Sequence, residues 1–164
     1  MKTLLLLRHA KSDWDNPNLR DFERPLNERG RKAAPLMGEF MRERNIRADL
    51  ILCSPAERAG QTAALVSVAA GFATAPRFDR RIYEADVPRL LEVLSEIEDA
   101  ARVVLLVGHN PGLEGLLEHL TGQAATMPTA ALALVSLDIE NWNEIREHAG
   151  RLEWLVKPKE LAAG

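Results

Sequence analysis

The sequence predicts an α/β protein, a single domain over residues 1–164 built as a three-layer α/β/α sandwich on a mostly parallel central sheet. Three observations predict it. Continuous apolar runs recur at Leu4–Leu7, Leu50–Cys53 and Val103–Val107, the pattern of strands buried on both faces. Amphipathic stretches of helical period separate these runs, which is the βα alternation of a parallel sheet covered on both sides. The 164 residues are 46% hydrophobic and 27% charged, with no internal repeat, low-complexity tract or long linker. That is enough apolar material for one core and gives no place to divide it.

The elements follow in order. Leu4–Leu7 is the first strand, and residues 10–26 are polar and irregular. A helix starts at Asn27, whose side chain suits an N-cap, with Glu28 in the first turn. Ala33, Leu36, Met37, Phe40 and Met41 mark its buried stripe. Leu50–Cys53 is the second strand. Ser54-Pro55-Ala56-Glu57 then reads as a capping box with proline at the first helical position, opening a helix that runs to about Val68. Phe78–Tyr83 fits either a short strand or a loop. Pro88–Ile97 is a helix with Leu90, Leu91, Val93, Leu94 and Ile97 apolar. Val103–Val107 is the third strand. Asn110-Pro111 offers a cap and first residue for a helix carrying Leu113, Leu116, Leu117 and Leu120. Leu132–Ile139 is a late strand, and Leu152–Lys157 reads as an edge strand because Pro158 cannot extend a ladder.

Composition narrows function. The formal net charge of −3 disfavours a general nucleic-acid binder. No apolar run approaches the roughly 18 residues of a membrane-spanning helix, so no membrane partner is expected. Residues 1–47 carry 11 Lys and Arg against 7 Asp and Glu, a mild cationic bias that suits a small anion or simply a solvated surface. Cys53 is the one cysteine, so no intrachain disulfide forms, and its apolar run makes it a buried hydrophobe rather than a nucleophile. The four leucines after Met1-Lys2-Thr3 are too short for a signal-peptide core, and the expected location is cytoplasmic.

Ligands of such sheets bind beyond the carboxyl ends of the strands. Those ends read Arg8-His9, Ser54-Pro55-Ala56-Glu57-Arg58 and Gly108-His109-Asn110. One rim therefore gathers two histidines, two arginines and two helix starts. A lone histidine or arginine is usually structural or solvated, but three converging ends share one chemistry. Arginine forks match phosphate oxygens, helix starts present free N–H groups, and a neutral imidazole can attack phosphorus and leave again. Other motifs are missing: the chain has no P-loop, no dinucleotide fingerprint, no H-E-x-x-H, no paired-cysteine spacing and no G-x-S-x-G elbow. His119 and His148 lie away from the rim and read as structural or exposed.

Four blocks in order, Leu7-Arg8-His9-Ala10, Arg24-Pro25-Leu26-Asn27-Glu28-Arg29-Gly30, Ser54 through Thr62, and Val107-Gly108-His109-Asn110-Pro111, together resemble the histidine phosphatase superfamily, which includes the phosphoglycerate mutases. The short chain and the Arg-His-Ala-Lys-Ser start look most like its SixA branch of phosphohistidine phosphatases. The resemblance implies that His9 is the nucleophile, that Arg8 and Arg58 clamp the phosphoryl oxygens, and that His109 completes the pocket. It implies supporting roles for Ser54, Gln61 and Thr62, and no metal or organic cofactor.

This sequence departs from the family pattern twice. Ala10 stands where most members carry glycine, which a positive-φ backbone would disfavour, and Lys11 stands where many carry glutamate. The general acid is also not evident: Glu84 is the best-placed catalytic candidate, Asp13 and Asp86 are weaker, and Glu84 reads equally as a solvated loop carboxylate. An alkoxide leaving group gains about 10²–10⁴ in rate from an acid, whereas an imidazole needs it less. A site with a weak acid and without the mutases' long insertions favours phosphohistidine on a protein partner. The alternatives are a small-molecule phosphomonoesterase of the same fold and an inactive module that binds phosphoproteins; mutase activity is least favoured. Trp14 has two readings, lining the pocket or packing.

Overall fold

The structure, a computed structural model, describes residues 1–162. The last two residues of the expected 1–164 domain lie outside the described residues. Six strands form one sheet in the order β3-β2-β4-β1-β5-β6. They are β1 (Lys2–Arg8), β2 (Leu50–Cys53), β3 (Arg77–Phe78), β4 (Val103–Gly108), β5 (Leu132–Leu137) and β6 (Gly150–Val156). β1, β2, β3 and β4 pair in parallel, and β5 runs against both β1 and β6. The sheet is thus mostly parallel, with β3 and β6 at its edges.

Alternation along the buried strands builds two cores. Leu4 and Leu6 face one side with Leu52, Val104 and Leu106, under α3 (Val87–Ser95) and α4 (Gly112–Thr121). Leu5 and Leu7 face the other with Ile51, Cys53, Leu105 and Val107, under α1 (Glu28–Glu43), α2 (Glu57–Ala70) and α5 (Pro158–Ala162). Leu4 through Leu7 are fully buried, and each such leucine stabilises the fold by about 2 kcal/mol over an exposed one. No helix among the described residues is long and apolar enough to cross a membrane.

Several boundaries move, each for a local reason. Asn27 caps α1 as expected, its side chain accepting from the Gly30 N–H at 2.8 Å. The α1 stripe is turned by about one position: Ala34, Met37, Gly38 and Met41 are buried, while Ala33, Leu36 and Phe40 are half-buried. Close packing on α2 sets this, since a Cβ on Gly38 would overlap the Val66 carbonyl. Ser54 does not cap α2. The chain stays extended through Ala56 and the helix begins at Glu57, without a side-chain cap. α4 likewise begins at Gly112 rather than Pro111, and Asn110 Oδ1 still accepts from the Glu114 N–H at 3.3 Å.

The connections make a crevice. β1 leads to α1 on one face of the sheet, while its neighbour β4 leads to α4 on the opposite face. Adjacent strands whose continuations part in this way leave an opening beyond their carboxyl ends.

Candidate active site

Strand register brings the two rim histidines together. Arg8 pairs with Gly108 at the end of the β1–β4 ladder, so His9 and His109 follow side by side, with ring centroids 5.1 Å apart. Cys53 pairs with Val107 on the other side of β4, which sets Ser54 beside His109. A cavity of about 320 Å³ opens here, lined by Arg8, His9, Lys11, Ser12, Trp14, Arg58, His109, Asn110 and Thr129.

His9 is only 7% exposed. Its Nδ1 lies 2.7 Å from the Ala10 carbonyl oxygen. A carbonyl only accepts, so Nδ1 carries the proton and Nε2 keeps its lone pair. Burial pushes the His9 pKa down to about 4; Arg58 and Arg8 add to this, and the Ala10 hydrogen bond opposes it. The ring is therefore neutral at pH 7, as a nucleophile must be.

His109 is pushed to about 3, chiefly by burial and then by His9 and Arg58. Its Nε2 lies 2.7 Å from Ser54 Oγ, which also accepts from the Ala56 N–H at 3.2 Å. The hydroxyl keeps a second lone pair and its own proton, so Ser54 either donates to Nε2 or accepts from it, according to the His109 tautomer. Nδ1 is buried without a protein partner, and so is Arg8 Nε. Buried polar groups left unpaired cost free energy. Both atoms belong to residues that line the cavity beside the free His9 lone pair.

Arg8 is steadied by the Met127 carbonyl, 3.1 Å from Nη1; desolvation lowers its pKa. Arg58 is 8% exposed and is held by one residue twice. Nη1 donates to the Asp21 carbonyl at 2.7 Å and Nη2 to Asp21 Oδ2 at 3.0 Å. Tyr83 donates its hydroxyl proton to the same Oδ2 at 2.7 Å and meets the His109 ring edge-on, with centroids 5.7 Å apart. Burial works to raise the Asp21 carboxyl, but the Tyr83 and Arg58 hydrogen bonds outweigh it and hold it below the ordinary carboxylate value. Burial, then Asp21, raises Tyr83, so the phenol keeps its proton.

The supporting residues tie this wall to α2. The Thr62 hydroxyl donates to the Arg58 carbonyl at 2.7 Å and accepts from the Ala10 N–H at 2.9 Å. Gln61 Oε1 accepts from the Leu26 N–H at 2.8 Å. Gly30 abuts the nucleophile's loop, where a Cβ would overlap the Lys11 carbonyl. Ala10 itself is buried in ordinary backbone geometry, so the departure from glycine costs nothing there. Positive φ falls instead on Ala130, at 64°, whose N–H is shared by the Arg8 and His9 carbonyls at 3.1 and 3.0 Å.

Of the candidates from sequence, the structure brings Arg8, His9, Arg58 and His109 to one cavity. Glu84 is not among its lining residues. Its backbone takes φ 56°, turning the chain so that Tyr83 points to Asp21 while Glu84, exposed, lines a separate hollow with Arg80 and Arg89. Asp13 accepts from the Asp15 N–H, and Asp86 caps α3 through the Arg89 N–H. Asp21 and Tyr83 were not apparent from sequence. Asp21 lies in the irregular stretch without a periodic signal, and Tyr83, the chain's one tyrosine, meets it only through a contact across 62 residues. Trp14 lines the cavity and is 64% exposed. Cys53 is buried, and burial raises its thiol to about 12. Among the described residues no group of three His, Cys, Asp or Glu side chains is placed to hold a metal ion.

Known proteins resemble this chain in sequence and fold. The family model of the histidine phosphatase superfamily (branch 1) matches residues 4–90. An uncharacterised protein of Mycobacterium tuberculosis is 31% identical over 93% of this chain and 100% of its own. Among solved structures, an Agrobacterium tumefaciens protein assigned as the phosphohistidine phosphatase SixA is 30% identical with a TM-score of 0.81, covering 96% of this chain and 99% of its own. The protein histidine phosphatase SixA complexed with tungstate is 25% identical with a TM-score of 0.84, over 97% and 99%. Matching sequence blocks, a shared fold and a buried imidazole among phosphate-type donors lead to one conclusion: the chain belongs to the histidine phosphatase superfamily, as a phosphatase of SixA type.

Proposed function

We propose that the enzyme hydrolyses phosphohistidine on a partner protein, in the cytoplasm, without metal or organic cofactor. His9 Nε2 attacks phosphorus and forms a P–N bond as the bond to the substrate's imidazole nitrogen breaks; that nitrogen takes a proton from solvent. Water then attacks the phosphorus on His9, breaks the P–Nε2 bond and releases inorganic phosphate. Arg8 and Arg58 hold the phosphoryl oxygens through both steps, and His109 Nδ1–H donates to the oxygen that gains charge. Positioning and electrostatics of this kind supply most of what phosphoryl transfer needs.

The observation that carries the choice of substrate is the cavity wall. Among the described residues lining it, none is Asp or Glu, and Glu84 lies outside it. The neighbouring carboxyl, Asp21, is held ionised by Tyr83 and Arg58 and has no proton for a departing alkoxide, whereas an imidazole leaves readily once solvent protonates it. The test is phosphate release from a phosphohistidine protein beside p-nitrophenyl phosphate, with His9→Ala as control. We expect faster turnover per KM on the phosphohistidine protein, loss of both activities in the variant, and an acid-labile phosphoenzyme trapped on the native chain. Higher kcat/KM on a sugar phosphate would overturn the substrate assignment, and full activity in His9→Ala would overturn the mechanism.

A further inference from the structure

Trp14 is the large exposed aromatic at the phosphate cavity, and it is held rather than loose. Its Nε1–H donates to Ser12 Oγ at 3.0 Å. Ser12 is buried and bridges to Leu26, and the Asp13 N–H donates to the Pro25 carbonyl at 2.8 Å. The Arg24 guanidinium stacks on the indole, 4.0 Å from the ring centroid, and is itself tied to the Asn16 carbonyl. One face of the ring is thus occupied, yet the side chain keeps 64% of its exposure. A wide apolar face is presented to solvent beside the nucleophile, fixed in orientation before any ligand arrives. Such a preorganised ring loses little freedom on binding and stacks on other planar groups.

We infer that the open face of Trp14 is a leaving-group subsite that takes a planar ring, the imidazole or aryl group of a phosphorylated substrate, in preference to an alkyl chain. This deepens the proposed function, because a phosphohistidine brings such a ring to the cavity mouth. A protonated imidazole is accepted as well as an uncharged one, since the face of an indole also attracts cations.

The test uses ligands that do not turn over. Binding of phenylphosphonate and methylphosphonate to the native protein, Trp14→Ala and Trp14→Phe is measured by calorimetry. We expect phenylphosphonate to bind the native protein about tenfold more tightly, the advantage to collapse in Trp14→Ala, and Trp14→Phe to restore most of it. Equal affinities in the native protein, or an advantage that survives Trp14→Ala, would overturn the subsite. Equal weakening of both ligands would also overturn it, since Trp14 would then only shape the anion site. Relative kcat/KM on a phosphohistidine peptide and p-nitrophenyl phosphate separates the two ideas. Aryl turnover without phosphohistidine turnover defeats the proposed function while leaving the Trp14 subsite standing on the phosphonates.

Discussion

The two ends of the sheet each carry a hollow, and the larger one is not where the chemistry lies. At the amino end, the loops after α1 and α2 enclose about 790 Å³, lined by groups such as Arg42, Arg47, Asp49 and Phe72. At the carboxyl end the cavity around His9 measures about 320 Å³. In the larger hollow the charged side chains are exposed, and Asp49 is spent on the Arg102 and Val103 N–H groups. In the smaller one His9 and Arg58 are almost wholly buried, and two buried side-chain nitrogens, on Arg8 and His109, have no protein partner. Burying charge and leaving polar atoms unpaired costs stability. A fold keeps such a cost where it has a use, so a buried arginine beside two paired histidines, one of them buried, locates this site better than volume does.

That contrast can be broken by substitution, beginning with the largest effect. His9→Gln keeps a polar side chain of similar size but removes the nucleophile, and kcat should fall by on the order of 10⁴ or more. Activity within tenfold of native would place the chemistry elsewhere. Arg58→Ala should cost about 10²–10³ in kcat/KM, the scale for one lost oxyanion donor. The paired control, Arg42→Ala with Arg47→Ala at the other end, should change it by less than about twofold. Comparable losses at both ends would dissolve the distinction.

Asp21→Asn sharpens the comparison within the active end. It removes the charge that holds Arg58 and accepts from Tyr83 without deleting either, so kcat/KM should fall about tenfold. Steady-state kinetics with inorganic phosphate as inhibitor checks this, and an unchanged inhibition constant would show that Arg58 keeps its place unaided.

The last expected effect is on stability rather than on turnover. His9 and His109 are lowered to about 4 and about 3 in the folded protein, below the ordinary 6.5. As pH falls below 6.5 the unfolded chain takes up protons that the folded one refuses. Stability is therefore full above pH 6.5 and is lost progressively towards pH 4, on the order of 1–2 kcal/mol per histidine by pH 5. Urea unfolding at pH 7 and pH 5 measures it. His109→Gln should show a smaller drop than the native protein over the same interval.

Much of this was legible in the chain because strands buried on both faces announce themselves. Leu4–Leu7, Leu50–Cys53 and Val103–Val107 fixed three strands, and the residues that follow each run are the ones the rim displays. What stayed hidden depends on contacts that no local pattern encodes. Ser54 looks like a helix cap because Ser-Pro-Ala-Glu has that grammar, but the chain stays extended and gives the hydroxyl to His109. Asp21 and Tyr83 meet across 62 residues, one in an irregular loop and one at a turn made by the positive φ of Glu84. Glu84 reads as the acid because the resemblance puts one in the segment between the second and third of those buried strands, yet its exposed side chain lines the hollow with Arg80 and Arg89. The buried stripe of α1 lies one position from the hydrophobic pattern because Gly38, invisible to such a pattern, is where the helix packs against the α2 backbone.

The pairing of β1 with β4 carries one more consequence. His9 and His109 stand 100 positions apart in the chain and become neighbours only through the alignment of Arg8 with Gly108. A slip of one residue in that ladder would send every side chain of the strand to the wrong core and would part the two rings. Catalysis is therefore a proofreading signal for assembly. During refolding, turnover returns not when the chain collapses or its helices form, but when the first strand and a strand from the distant second half have found their one correct alignment.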